Sequence, residues 1–141
     1  MLVIAKGILV IIFFNLSCLH WYWAFGGKWG LEYVIPTKTT IEKAINPKPL
    51  ATILVAIALL LIAYIYLLLI FSSHINIFPT WVIKYGIWIV PSAFLLRVLG
   101  DFKYVGLFKK IKKTTFAIND TKYFIPLCAI IATLGFIIAL N

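Results

Sequence analysis

Leu50 to Phe71 reads LATILVAIALLLIAYIYLLLIF, 22 residues without a charge, a proline or a glycine. As a helix, a run of this length covers the ~30 Å hydrocarbon core of a bilayer, for which ~20 residues suffice. It shows no period-two alternation. Backbone groups in lipid must bond to one another, so the run reads as a helix and not as a barrel strand. Working outward, three more runs share its character: about Val3 to Phe25, Trp81 to Leu99 and Tyr123 to Leu140. Spans at about 3–25, 50–71, 81–99 and 123–140 predict one all-α domain over residues 1–141, an integral membrane four-helix bundle.

Composition agrees. Hydrophobic residues make up 64% of the 141 and charged residues 12%, against ~45–50% and ~25% in soluble domains. A water-soluble fold, a disordered chain and a disulfide-stapled module are all excluded on these grounds. The boundaries carry helix signals as well. Asn46-Pro47-Lys48-Pro49 ends one segment and opens the next, Thr80 is placed to cap the third span, and Asp120 to cap the fourth. Pro91 falls inside the third span, where it removes an amide donor and predicts a kink. A leader resembling a secretory signal precedes Cys18, but Asn15 and the apolar stretch continuing beyond the cysteine argue against cleavage.

The net charge of +9 comes from 13 Lys and Arg against 4 Asp and Glu. Sorted by loop, Lys6 and Lys84 stand on one side of the membrane. Lys28, Lys38, Lys43, Lys48, Arg97, Lys103, Lys109, Lys110, Lys112, Lys113 and Lys122 stand on the other, a ratio of 2 to 11. The positive-inside rule then places loops one and three in the cytoplasm and both termini outside. In loop three, Phe102, Val105, Phe108 and Ile111 recur every three residues among lysines. That pattern predicts a short amphipathic helix in the inner interface, with Lys109, Lys110, Lys112 and Lys113 on anionic headgroups. A short basic patch held at a membrane makes nucleic acid an improbable partner. A bundle this small often self-associates, so a homo-oligomer is compatible with the sequence.

The polar features gather on the basic side. His20-Trp21-Tyr22-Trp23-Ala24-Phe25-Gly26-Gly27-Lys28-Trp29-Gly30 closes the first span. Its aromatics form an interfacial belt, and Gly26, Gly27 and Gly30 permit a tight turn whose amides form either a structural bend or an anion nest. His20 is a candidate acid–base group, since histidine near a membrane interior usually faces the bundle with a partner. His74 lies in loop two, on the opposite side. Arg97 and Asp101 are close enough in sequence to pair, either as a structural ion pair or as a holder of a lipid phosphate or carboxylate. Thr39-Thr40-Ile41-Glu42 fits a capping box for a short helix in loop one. Cys18 and Cys128 have no metal spacing and read as buried free thiols near one depth, with a redox pair as the alternative. No span contains Asp or Glu, and no protease, hydrolase or oxidoreductase motif is present. No metal site and no cofactor are expected.

Three motifs in order carry a family resemblance: His20 to Gly30 with Pro36 following; Arg97-x-x-Gly100-Asp101-Phe102-Lys103-Tyr104-x-Gly106-x-Phe108-Lys109; and Phe116-Ala117-x-x-Asp120-x-x-x-Phe124-x-Pro126-Leu127-Cys128. Together they resemble the bacterial four-span membrane proteins catalogued as domain-of-unknown-function 3995. The resemblance covers essentially the whole chain and implies a four-helix protein of a bacterial plasma membrane. It supplies no activity. The family pattern often has tyrosine where Phe124 stands, which argues against a hydroxyl-dependent role there.

Two functions follow as expectations. In the first, the bundle binds a lipid-like or amphipathic molecule, or a membrane partner, near the cytoplasmic leaflet, using Arg97, Asp101, Gly26, Gly27, Trp29, Trp23 and Asp120. In the second, it is a small membrane enzyme on a lipid or isoprenoid, with His20 as acid–base. Both expect His20, Trp29, Arg97, Asp101 and Asp120 around one cavity mouth.

Overall fold

A computed structural model describes residues 1–36, 48–71 and 78–141. The capping box at Thr39–Glu42, Lys38, Lys43, Asn46, Pro47 and His74 lie outside the described residues. The elements are α1 (Leu2–Ala24), α2 (Leu31–Val34), α3 (Pro49–Phe71), α4 (Thr80–Leu99), α5 (Thr115–Asn119), a π turn (Asp120–Phe124) and α6 (Ile125–Ala139). The last three run on as one helix, Thr115–Ala139. With α1, α3 and α4 it makes four helices, among the described residues, long and apolar enough to cross a membrane.

The helices pack as two pairs, α1 on α3 and α4 on α6, joined along α1 and α6. Lipid tails are as apolar as leucine, so close packing holds such helices together better than exclusion of water does. Small residues therefore lie at the contacts. Ala56 is fully buried, and Ser17 opposite it donates Oγ–H to the Ala56 carbonyl at 2.8 Å. At the other end of the same pair, Lys6 Nζ donates to the Leu69 carbonyl at 2.9 Å. The centre is filled by Leu9, Phe13, Leu59, Ala63, Tyr66 and Ile131. Phe13 stacks on Tyr66 at 5.9 Å and meets the edge of Phe94 at 5.5 Å. Residues such as Ile4, Ile11, Leu54, Leu61, Ile89 and Leu96 point outward, as lipid-facing positions should.

Pro91 is buried within a helix that continues on both sides of it. Room for its ring comes from Gly135 on α6, where a Cβ would stand 2.8 Å from the Pro91 Cβ. Next to it, Ser92 Oγ–H bonds the Trp88 carbonyl at 2.7 Å.

Three local expectations are corrected. Thr80 is the first helical residue of α4, with Pro79 at the cap position and no side-chain cap bond. The fourth helix begins at Thr115, so Asp120 lies inside it; the cap is Thr114, whose Oγ1 accepts from the Ala117 amide at 3.2 Å. Residues 100–114 form no helix. Gly100 (φ +89°), Phe102 (φ +60°) and Gly106 (φ +86°) adopt left-handed backbone that a helix cannot contain. The spacing of apolar residues by three is real, but the glycines and Asp101 divert the chain first.

Candidate functional site

Asp120 is the centre of the polar structure at the α4–α6 end. Pro126 has no amide to donate, and just before it the Ile125 amide reaches back five residues to the Asp120 carbonyl. The resulting π turn holds one extra residue, a distortion that recurs at functional positions. The Asp120 side chain is fully buried. Its Oδ1 accepts from Arg97 Nη2 at 2.7 Å, and its Oδ2 accepts from the Gly106 amide at 3.0 Å and from Lys109 Nζ at 3.0 Å. Lys109 donates further to the Gly106 carbonyl at 3.2 Å and to Thr121 Oγ1 at 2.7 Å.

The loop from Gly100 to Gly106 is closed on itself. A Cβ on either glycine would collide with the backbone of the other arm, Val105 and Gly106 for the first and Gly100 for the second. Asp101 Oδ1 accepts from the amides of Lys103, Tyr104 and Val105 at 2.9, 2.7 and 2.9 Å. Partial burial acts to raise the Asp101 carboxyl, but the Val105, Lys103 and Tyr104 amides outweigh it and hold the group below its ordinary aspartate value. The Leu107 amide returns to the Val98 carbonyl at 2.8 Å, tying the loop to the last turn of α4.

The expected Arg97–Asp101 pair is therefore replaced. Arg97 binds Asp120, 23 residues away, while Asp101 turns onto its own loop. Lys109, expected at lipid headgroups, is turned inward with its side chain 3% exposed. Sequence reading missed this inward role, and the roles of Gly106 and Thr121 with it. A signal was present in Gly100 and Gly106, whose spacing closes a loop that brings Lys109 back toward Asp120.

The cluster is electrically unbalanced. Two cations, Arg97 and Lys109, face one carboxylate, Asp120. Arg97 Nη1 is buried and has no hydrogen-bond partner among the described residues, although the side chain as a whole is 31% exposed. Cys128 packs nearby with Val98 and Ile125. Both cysteines are free thiols, and Cys128 is buried as expected, but Cys18 faces outward from α1 and is exposed, which corrects the expectation of two buried thiols.

The first-span motif is a separate structure at the same end, carried toward the cluster by the packing of α2 on α5. Gly26 and Gly27 donate their amides to the Trp23 and Tyr22 carbonyls at 3.1 and 2.9 Å. Trp23 Nε1–H bonds the Trp29 carbonyl at 2.9 Å, and the Trp29 amide lies 3.4 Å from the Tyr22 hydroxyl. These amides are thus spent on the turn itself. A Cβ on Gly27 would displace the exposed Tyr22 ring from its place, and Gly26 has a φ of +92° that favours glycine. Trp29 points outward. The His20 ring nitrogen Nδ1 lies 2.7 Å from the Leu16 carbonyl, and the ring meets Trp23 edge-on at 5.1 Å.

The structure thus joins Arg97 and Asp120 directly, with Asp101 one loop away, and leaves His20, Trp23, Gly26, Gly27 and Trp29 in a turn of their own. An apolar crevice of about 10 Å³ between α3 and α4, lined by Ile62, Ile65, Tyr66, Gly86, Ile87 and Val90, touches none of them. A shallow groove on α4 at Trp88, Ile89, Ser92, Ala93 and Leu96 does not reach them either. Among the described residues no three His, Cys, Asp or Glu side chains gather to hold a metal.

The model of the family described as "Protein of unknown function (DUF3995)" matches residues 13–135. No curated protein and no solved structure matches the chain.

Proposed function

The chain belongs to the DUF3995 family, and from that premise we propose that it is a multi-pass membrane protein holding an amphipathic molecule by an anionic head at Arg97. The observation that carries this reading is the unpartnered, buried Nη1 of Arg97 in a cluster with one positive charge in excess. Near a membrane an uncompensated buried cation is costly, and an anion beside it removes that cost. Guanidinium suits the task, because its fork already gives Nη2 to Asp120 and leaves Nη1 for a phosphate or carboxylate oxygen. Asp120 and Lys109 then act as positioning residues, and Asp101 shapes the loop beside them. The chain's apolar outer faces supply the surroundings a hydrocarbon tail requires. We further place this end of the bundle in the cytoplasmic leaflet on the charge distribution, and in a bacterial plasma membrane on the family resemblance. No specific observation favours the enzyme reading: among the described residues the His20 ring has the Leu16 carbonyl at Nδ1 and no second polar partner.

Native mass spectrometry of the protein in mild detergent tests the proposal. We expect a co-purified anionic amphiphile whose retention falls ~10-fold or more in Arg97→Ala, as loss of a charge-assisted hydrogen bond implies. Arg97→Lys should recover part of it, and His20→Ala should leave it unchanged. Undiminished retention in Arg97→Ala would refute the site.

A further inference from the structure

Outside the four spans, the loop from Gly100 to Thr114 displays three large apolar side chains to the surroundings: Phe102 at 61%, Leu107 at 54% and Phe108 at 59% exposed. Left in water they would form an exposed apolar patch, which marks a contact surface. Exposed lysines flank them at 103, 110, 112 and 113, and the loop's one acid, Asp101, is occupied by three amides. The patch also sits at the right height. Leu107 is one hydrogen bond from Val98 in α4, and Gly106 one from Asp120 in the fourth helix, so the loop folds back against the ends of two membrane-crossing helices.

We infer that this loop is a wedge which sinks Phe102, Leu107 and Phe108 into the adjacent leaflet while its lysines grip anionic headgroups. Apolar groups beside lysines match the boundary between acyl chains and charged heads, where each nearby basic residue favours an anionic surface. The partner is the bilayer that the protein spans. The wedge is held in shape beforehand: Phe102 keeps a left-handed backbone that a bulky residue adopts only when its surroundings enforce it, and its ring lies 6.2 Å from that of Phe108. This inference does not rest on the Arg97 site, and either can fail alone.

The test uses the full chain with Cys18→Ser and a spin label at Leu107→Cys, Cys128 being buried. It is reconstituted in vesicles of phosphatidylcholine, with and without phosphatidylglycerol. The label should collide with lipid-dissolved oxygen in preference to a water-soluble nickel complex, more strongly when phosphatidylglycerol is present. Lys103→Gln, Lys110→Gln, Lys112→Gln and Lys113→Gln together should abolish that increment and lower the preference for spin-labelled phosphatidylglycerol by up to about fivefold per lysine. A label open to nickel in both vesicles overturns the wedge. So does a label shielded from both reagents, which would indicate a protein partner or a second copy. Insertion indifferent to phosphatidylglycerol overturns the role of the lysines.

Discussion

Asp120 is one carboxylate between two cations, and this arithmetic ranks its substitutions. Asp120→Asn keeps the shape and leaves Arg97 and Lys109 without a counter-charge, a change expected to cost ~3–5 kcal/mol. Lys109→Met removes the surplus charge together with its bonds to Asp120, Gly106 and Thr121, but leaves Arg97 and Asp120 as a neutral pair with the Gly106 amide still on Oδ2, a smaller loss of ~1–3 kcal/mol. Thermal unfolding in detergent should therefore place the asparagine variant well below the methionine one. Equal losses would mean the charges are not balanced as described. At this scale the sequence identified Arg97 and Asp120 but chose the wrong partner for the arginine. Asp101 is four residues from Arg97, a helical neighbour if the helix continues. Gly100 ends it, and the three amides of the next turn capture Asp101 instead. Contacts that depend on a loop closing over 23 residues leave no local pattern to read.

The long helices were legible because apolar length is a strong signal. The bounds of α1, α3 and α4 fall within one or two residues of the spans read from the sequence. The fourth begins eight residues earlier, since Lys122 and Asp120 interrupt its apolar run without interrupting the helix. In loop three a period of three was mistaken for helix, where side chains of Asp101 and Asp120 compete for the backbone amides a helix would use. The α4–α6 contact gives a prediction of its own. Gly135→Ala pushes a methyl group against Pro91 and should lower stability by ~1–3 kcal/mol. Adding Pro91→Gly, which removes the Cβ that the methyl group meets, should return part of that loss, as a double-mutant cycle on thermal unfolding will measure. If the two costs simply add, the helices do not meet there.

For the molecule as a whole, the uneven charge is a statement about direction. Lys112→Cys and Asn141→Cys, each in a Cys18→Ser background, should react with membrane-impermeant maleimide from opposite sides: the terminal cysteine in intact cells, the loop cysteine only after lysis. Reaction of both from one side would reverse or refute the proposed orientation. The two helix pairs also differ in how they are fastened. Ser17 and Lys6 pin α1 to α3 near both ends, so neither helix can slide past the other. The α4–α6 pair is clasped by Asp120 at the loop-three end and by Pro91 against Gly135 near its middle, with no side-chain bond between these two helices beyond it among the described residues. The α1–α6 contact thus serves as the spine of a book whose covers are α3 and α4. Any parting of the covers would run along Ile62, Tyr66 and Gly86, where an apolar crevice already lies between α3 and α4 and no clasp of this kind joins them among the described residues.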